Sequence, residues 1–314
     1  MTVLVAGSAN LDFVVRVPHV PAPGETVLGH SLMTFPGGKG ANQAVACARA
    51  GAAPTQMLLA LGADAYAAPV QASLVEAGVV LHTVRSATEP TGTAFIGLAD
   101  NAENAIIVAP GANATLRAAD LPPLHGISHL LMQLETPLDT VAAYARQARA
   151  AGTTVVLNAA PAQPLPAALL ADVDLLIVNE GELAHIAGRS GSVAQLLASI
   201  SVPTVIVTLG HRGCCARSAG SVLMQTAYAV HAIDTTAAGD TFCGALVAAL
   251  SLGMALPAAL QRASAAAALA CTRLGAQPSI PTHAEVDALQ LQQPGADVET
   301  ARTAMAALAQ YAGY

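Results

Sequence analysis

Short, continuous apolar runs recur along the chain and alternate with longer segments rich in alanine and leucine. The runs predict strands, because an apolar run without polar alternation is typical of a strand buried on both faces. They occupy residues 3–8, 55–61, 129–134, 153–158, 174–179 and 204–209. The segments between them predict helices at residues 40–51, 65–77, 137–151, 181–188 and 192–200. This alternation predicts an α/β fold, with a mostly parallel central sheet of roughly eight or more strands flanked by helices on both faces.

Two stretches interrupt the alternation. Proline and glycine punctuate residues 13–35, in which residues 14–17 and 25–32 are strand candidates. Residues 91–108 have the pattern of a β-hairpin that turns around residues 100–104. Together these stretches predict a small β-sheet lid, built from about residues 10–40 and 90–110, beside the main sheet.

The rest of the pattern predicts no further division of the chain. No internal repeat or low-complexity linker occurs, so residues 1–314 are predicted to form a single domain. The uncharged stretch 241–261 is long enough to span a membrane, but its alanine content, Gly253 and Pro257 predict two consecutive buried helices instead. Residues 283–314 have a helical pattern, at about 283–290 and 297–311, and carry no recognisable motif.

Composition narrows the class of partner. The formal net charge is -7 and charged residues make up 11% of the chain, without a cluster of lysine and arginine. Neither nucleic acid nor a membrane surface is therefore a predicted partner, and a small soluble molecule fits better. The N-terminus lacks the features of a signal peptide, and the 5 cysteines are scattered without metal-ligand spacing. We therefore expect a cytoplasmic protein.

A glycine-rich segment is the first chemical signal. Residues 36–52 read PGGKGANQAVACARAGA, and their glycines allow the backbone to approach a ligand closely just before a helix. A glycine turn that merely precedes a helix is the simpler alternative. The segment is not a P-loop, and Gln43 occupies the third glycine position of the dinucleotide fingerprint G-x-G-x-x-G. A dehydrogenase is therefore not predicted.

A second segment brackets small residues with two carboxylates. Residues 232–250 read AIDTTAAGDTFCGALVAAL, and Asp240 falls where a helix begins. Helix capping would explain Asp240, because aspartate accepts hydrogen bonds from the free amides of a first helical turn. The pattern by itself leaves open whether Asp240 has a chemical role.

A series of short motifs follows in order along the chain, of which GGKGANQA (37–44) and AAGDTF (237–242) are the most specific. The others are GSANLD (7–12), PGETVLG (23–29), TGTAFI (91–96), PGAN (110–113), QLETP (133–137), NEGE (179–182), TLGHRG (208–213) and TRLGAQPSIP (272–281). Together they resemble the ribokinase branch of the PfkB carbohydrate kinase family. The resemblance implies ATP-dependent phosphorylation of a primary sugar hydroxyl, for ribose the 5-hydroxyl. A kinase acting on 2-deoxyribose, fructose or a nucleoside, and a non-catalytic sugar-sensing protein, remain as alternatives.

The resemblance also implies roles for individual residues. Asp240 corresponds to the general base that takes the proton of the attacking hydroxyl. Ala237, Ala238 and Gly239 correspond to an anion hole whose backbone amides face the transferring phosphoryl group. The implied sugar contacts come from Asn10, Asp12, Gly38, Lys39, Gly40, Ala41, Asn42, Glu135 and Asp240.

On the nucleotide side, Asn179 and Glu182 are implied to act near the phosphates and Mg²⁺. The implied ATP-binding residues are Thr208, Leu209, Gly210, His211, Arg212, Gly213, Gly239 and Ser264. We expect His211 to face solvent. Ser264 stands near the adenine where many members of the family have asparagine, so a shorter side chain weakens that contact.

The resemblance further implies a monovalent cation site, usually for K⁺, beside the anion hole. The matching residues are Asp234, Thr236, Ala270, Arg273, Gly275 and Ser279, several of which would contribute only backbone carbonyls. Alternatively, Asp234 caps a turn. A homodimer that pairs through the β lid is a further expectation, because the exposed face of the lid is apolar.

Overall fold

The computed structural model describes residues 1–99, 103–292 and 298–314. Its strands are β1 (Thr2–Ala6), β2 (Asn10–Val17), β3 (Ser31–Gly37), β4 (Thr55–Leu61), β5 (Val80–Arg85), β6 (Gly92–Ala99), β7 (Asn104–Ala109), β8 (Ile127–Met132), β9 (Thr154–Asn158), β10 (Leu175–Asn179), β11 (Thr204–Thr208), β12 (Gly213–Ser218) and β13 (Ser221–Thr226). Its helices are α1 (Lys39–Arg49), α2 (Ala67–Glu76), α3 (Leu138–Ala150), α4 (Ala167–Ala171), α5 (Glu180–Ala187), α6 (Val193–Ser199), α7 (Ala238–Ser251), α8 (Leu256–Ala270), α9 (His283–Gln292) and α10 (Val298–Ala312).

The main sheet has nine strands in the order β13-β12-β11-β10-β9-β8-β1-β4-β5. The strands from β11 to β5 are parallel, and only β12 and β13 are added antiparallel. Successive residues of β1 enter different cores: Val3 and Val5 pack into one apolar cluster, Leu4 and Ala6 into the other. Both faces are therefore covered, as the continuous apolar runs predict.

Small residues bring α1 and α7 together on one face of this sheet. A Cβ atom on Gly244 of α7 would lie 2.5 Å from both the Gln43 carbonyl oxygen and the Ala46 Cβ atom. The Cys47 thiol donates to the Gly244 carbonyl at 3.2 Å. This contact sets the N-terminal turn of α1 against that of α7.

A second sheet of four strands, in the order β3-β2-β6-β7, forms the lid. Strand β2 pairs parallel with β6, and the other two pairs are antiparallel. The predicted strand at 25–32 is wrong in position, because the strand runs from Ser31 to Gly37. Pro21, Pro23 and Gly24, with φ of 83° at the glycine, keep the preceding segment irregular and exposed. Strands β6 and β7 pair antiparallel, as predicted for a hairpin, and the predicted turn around 100–104 falls partly on residues 100–102, which lie outside the described residues.

The uncharged stretch forms two helices, as predicted. Helix α7 ends at Ser251, Gly253 has a φ of 86°, and α8 begins at Leu256. Among the described residues, no helix is both long and apolar enough to cross a membrane. The C-terminal helical pattern corresponds to α9 and α10.

Candidate active site

The carboxyl ends of the parallel strands meet at one edge of the main sheet. Glu135 follows β8, Asn179 ends β10 and Thr208 ends β11. Asn10 and Asp12 lie at the start of β2, where the chain passes from the main sheet into the lid. This edge is the usual ligand site of an open parallel sheet.

Asp240 lies in the first turn of α7 and is 8% exposed. Its Oδ2 atom accepts a hydrogen bond from Asn42 Nδ2 and its Oδ1 atom accepts one from Gln43 Nε2, each at 2.9 Å. The structure thus joins the glycine-rich segment to Asp240, although the two lie almost two hundred residues apart along the chain.

The helix begins at the small residues that precede Asp240. Ala237 has a left-handed backbone with φ of 58°, and its carbonyl accepts the Thr241 amide at 2.8 Å. The Ala238 amide donates to the Thr235 carbonyl at 3.2 Å. Gly239 is exposed at the surface of a cavity on the nucleotide side.

Glu135 connects β8 to the glycine-rich segment. Its Oε2 atom accepts hydrogen bonds from Ser8 Oγ at 2.6 Å and from the Lys39 backbone amide at 3.1 Å. Burial by itself lowers the pKa of the Lys39 side chain, but the carboxylates of Asp240 and Glu135 outweigh burial and the pKa is raised. The ammonium group therefore stays charged in the middle of an acidic site.

Asp12 is enclosed under the lid. Its side chain packs against Gly37, where an added Cβ atom would lie 2.0 Å from Asp12 Oδ2. Burial, followed by the charges of Glu135 and Asp240, raises the pKa of Asp12 to about 7. Its Oδ1 atom is buried and, among the described residues, accepts no hydrogen bond.

Asn10 is held by Asn113, a residue to which the sequence assigned no role. Asn113 Nδ2 donates to Asn10 Oδ1 at 2.7 Å, and Asn113 Oδ1 accepts the Ala9 amide at 3.0 Å. Asn113 is 1% exposed. It belongs to the PGAN motif, which was the only signal that could have identified it.

A cavity of about 440 Å³ lies where the resemblance implies the nucleotide. Several residues that the resemblance implied line it, namely Thr208, Gly210, His211, Gly213, Gly239 and Ser264. Burial raises the pKa of the Cys214 thiol, and the nearby Ser264 side chain offsets part of that shift. Tyr228 and Phe242 add aromatic side chains to the wall, and the sequence had singled out neither.

Two residues of the implied ATP-binding loop lie elsewhere. Leu209 is 3% exposed and belongs to the apolar core. The Arg212 guanidinium stacks over the ring of Tyr311 in α10, at 3.9 Å from the ring centroid. His211 is exposed, as expected.

Asn179 and Glu182 form a reciprocal cap at the start of α5. Asn179 Oδ1 accepts the Glu182 amide and Glu182 Oε2 accepts the Asn179 amide, each at 2.8 Å. Burial is the main cause that raises the pKa of Glu182. The cap uses one carboxylate oxygen and fixes the orientation of the other.

The residues of the implied cation site surround one loop. Asp234 Oδ1 accepts the Thr236 amide and Asp234 Oδ2 accepts the Gly275 amide, each at 2.9 Å. The Arg273 side chain is paired with Glu285. Ala270 and Ser279 are fully buried beside it. No group of three or more His, Cys, Asp or Glu side chains that could hold a metal occurs in the described part of the chain.

Comparison with known proteins identifies the family of this chain. A model of the family described as pfkB family carbohydrate kinase matches residues 2–283. The ribokinase of Haemophilus influenzae is 38% identical over 296 residues, covering 90% of this chain and 96% of that protein.

Two solved structures are similar along nearly their whole length. The ribokinase of Thermotoga maritima superposes with a TM-score of 0.84 at 35% identity, covering 92% of this chain and 99% of that one. The ribokinase of Arabidopsis thaliana, solved with ribose and ATP, superposes with a TM-score of 0.83 at 31% identity, covering 91% and 97%. The chain therefore belongs to the pfkB family of carbohydrate kinases and is a sugar kinase.

Proposed function

We propose that this protein is a ribokinase, which transfers the γ-phosphoryl group of ATP to the 5-hydroxyl of D-ribose. The observation that carries the proposal is the position of Asp240. It lies between the polar residues under the lid, which it contacts through Asn42, and the nucleotide cavity, which the adjacent Gly239 lines. The names of the similar proteins support ribose as the acceptor.

Asp240 acts as the general base in this proposal. Its carboxylate takes the proton of the sugar hydroxyl as that oxygen attacks the γ-phosphorus, and the bond to the leaving ADP breaks. A positioned base contributes about 10²–10⁴-fold to such a rate. The amides of Ala237, Ala238 and Gly239 stabilise the transferring phosphoryl group at the N-terminus of α7. The Ala238 amide exchanges its bond to Thr235 for this contact.

Unpaired acceptors support the sugar site. Asp12 Oδ1 and Asn42 Oδ1 are buried and have no hydrogen-bond partner among the described residues. An unpaired buried polar group costs about 1–3 kcal/mol, and sugar hydroxyls are donors that would remove this cost. Asn10 and Glu135 complete the polar lining on the same side, and the segment from Gly38 to Asn42 closes over the sugar.

Two cations fit the residues present. Near Asn179 and Glu182, a Mg²⁺ ion would be held largely through water, since a single carboxylate is available and Mg²⁺ keeps several waters. The ion neutralises phosphate charge when it is bound. Beside Asp234, whose two oxygens already accept backbone amides, a K⁺ ion would be held mainly by backbone carbonyls of the loops of Thr236 and Arg273.

The lid supports a homodimer. Leu32, Phe95 and Ile107 expose apolar side chains on one face of the lid, with Ile107 71% exposed. Apolar side chains on a neighbouring set of strands are typical of an association surface. A reducing compartment such as the cytoplasm suits the 5 cysteines, all of which are free thiols.

The test follows ADP formation from Mg-ATP with ribose, 2-deoxyribose, fructose and a nucleoside, each with and without K⁺. We expect the highest kcat/KM with ribose, stimulation by K⁺, and loss of about 10²-fold or more of kcat in Asp240→Asn. Asp139→Asn is the matched control, because Asp139 lies in the first turn of α3 and is exposed. A preference for another acceptor would overturn ribose, and full activity of Asp240→Asn would overturn the base.

A further inference from the structure

A chain of buried amide side chains lies beneath Asp240. Gln43 and Gln133 are fully buried and Asn158 is 8% exposed. Gln43 Nε2 donates to both Asp240 Oδ1 and Asn158 Oδ1, each at 2.9 Å. Gln43 Oε1 accepts from Gln133 Nε2. The proposed mechanism above uses none of these three residues.

A backbone carbonyl determines the direction of the whole chain. Asn158 Nδ2 donates to the Ile177 carbonyl of β10 at 3.1 Å, and a carbonyl can only accept. Asn158 must therefore present its oxygen to Gln43. Gln43 must then present its amide nitrogen, which is the only end of that side chain able to donate to the Asp240 carboxylate.

The two oxygens of Asp240 consequently have different partners. Oδ1 is bonded to Gln43, which is anchored to the central sheet through Asn158. Oδ2 is bonded to Asn42, whose segment closes over the sugar and whose own Oδ1 is unpaired. Sugar binding can replace the contact at Oδ2 and leaves the contact at Oδ1 intact.

We propose that Gln43, oriented by Asn158 and Gln133, is a positioning residue that holds Asp240 by Oδ1 and leaves Oδ2 as the atom that receives the proton of the acceptor hydroxyl. The inference rests on the proposed role of Asp240 as the base. Beyond that role, it identifies Oδ2 as the oxygen that reacts and assigns the orientation of Asp240 to side chains that do not contact the substrate.

Gln43→Glu is the first test. The variant keeps the shape of the side chain but places a second carboxyl group against Asp240, which disfavours the ionised base. We expect the acidic limb of the pH–kcat profile to move upward by about one unit or more, with the KM for ribose and for ATP within about threefold of wild type. Gln56→Glu, a substitution on β4 whose side chain contacts His82, is the matched control.

Gln133→Met is the second test, and it remains informative if Gln43→Glu does not fold. It conserves volume, contacts neither the sugar residues nor Asp240, and removes the donor that holds Gln43 Oε1. We expect kcat to fall by about tenfold to 10²-fold, because a catalytic group that is displaced by a fraction of an ångström to about 1 Å loses this much rate. The KM for ribose should be unchanged. A wild-type pH profile for Gln43→Glu together with wild-type kcat for Gln133→Met would overturn the inference. Full activity of Asp240→Asn would instead overturn the base itself.

A different observation concerns α10, which lies beyond the residues matched by the family model. Leu308 and Ala312 anchor the helix in the apolar cluster, at 2% and 0% exposure. On its other side, Tyr311 stacks against the Arg212 guanidinium and donates its hydroxyl hydrogen bond to Glu180 Oε1 at 2.8 Å. One side chain of α10 thus contacts both the loop after β11 and the start of α5.

The space beside Tyr311 adjoins the nucleotide cavity. A second cavity of about 570 Å³ lies between α10 and the loop of His211 and Arg212, and its wall shares His211 and Ala227 with the first. We infer that Tyr311 is a positioning residue for the nucleotide, which couples this C-terminal helix to ATP binding. This second inference rests on the proposed use of the first cavity for ATP.

Tyr311→Ala tests the coupling. We expect the KM for ATP to rise by about twofold to fivefold, the range of an exposed cation–π contact, while the KM for ribose stays unchanged. Tyr311→Phe keeps the ring and is expected to rescue most of the effect. Met305→Ala, at another exposed position of α10, is the control. An unchanged KM for ATP in a Tyr311→Ala protein of wild-type thermal stability would overturn the inference, whichever sugar proves to be the acceptor.

Discussion

Asp12 is 7% exposed at the start of a lid strand, and two other carboxylates lie near it. Burial raises its pKa from 3.8 to about 7, with further contributions from Glu135 and Asp240. The ionised form is thus disfavoured in the sugar-free protein. If Asp12 binds the sugar as proposed, a hydroxyl that donates to it would offset this cost and would link substrate binding to ionisation at this residue.

The raised pKa of Asp12 predicts that the free energy of unfolding depends on pH. Between about pH 4 and pH 7 the folded state binds the Asp12 proton and the unfolded state does not, so the free energy of unfolding falls as the pH rises through this window. The decrease in the free energy of unfolding stops above the folded-state pKa of about 7, after a total of about 4 kcal/mol. Urea unfolding at several pH values should show this decline in the wild type.

Asp12→Asn should remove that part of the pH dependence and also raise the KM for ribose. Asp139→Asn should retain the wild-type slope, because Asp139 is exposed. If wild type and Asp12→Asn lose stability in parallel between pH 5 and pH 7, the raised pKa of Asp12 is not the cause.

At the scale of elements, the contact between α1 and α7 positions the site. Both helices begin at the same edge of the sheet. Because Gly244 has no Cβ atom, the backbone of α7 can lie closer to α1 than any other residue at this position would allow. Asn42 and Gln43 thereby reach Asp240. Small residues such as Gly244 and Ala46 therefore permit close helix packing around a polar site.

The site edge also depends on where strands end. Asn158 and Asn179 are the last residues of β9 and β10, so both lie at the edge of the sheet; Asn158 is buried against Gln43, whereas Asn179 is exposed. Helix α5 then begins immediately after Asn179 through the reciprocal cap with Glu182. Helix capping and a role near the phosphates are compatible, because the cap occupies only one of the Glu182 oxygens.

At the scale of the whole molecule, the lid and the main sheet enclose the residues of the proposed sugar site between them. Strand β2 leaves the main sheet directly after β1 and carries Asn10 and Asp12 into the lid. Closure of this lid would exclude water from the phosphoryl group, which limits wasteful hydrolysis of ATP. The exposed apolar residues of the lid would also form the contact in the proposed homodimer.

The exposed apolar side chains of the lid predict that the protein is a dimer. Burial of Leu32, Phe95 and Ile107, which share one face of the lid, against a second copy would stabilise a dimer, and a charge on that surface would oppose it. We expect sedimentation velocity to show a dimer for the wild type and a shift to monomer for Ile107→Glu, whereas Leu291→Glu, an equally exposed position on α9, stays dimeric. A monomeric wild type at micromolar concentration would contradict the proposed dimer.

The amino-acid sequence by itself determined the class of fold, the six buried strands β1, β4, β8, β9, β10 and β11, and the motifs that mark a carbohydrate kinase, but it did not predict β5, β12 or β13. Those features are local: a buried strand needs a continuous apolar run, and a ligand-approaching loop needs glycines. The misplaced strand at 25–32 shows the limit, since proline and glycine broke an apolar pattern that looked extended.

Only the tertiary structure decided which side chains meet. Asn113 supports Asn10, Gln133 and Asn158 orient Gln43, and Tyr311 contacts Arg212, each across a long separation in the sequence. An amide side chain has no periodicity that marks it as a partner, because its hydrogen bonds depend on what faces it after folding. The same holds for the raised pKa of Asp12, which arises from burial under a lid and not from its neighbours along the chain.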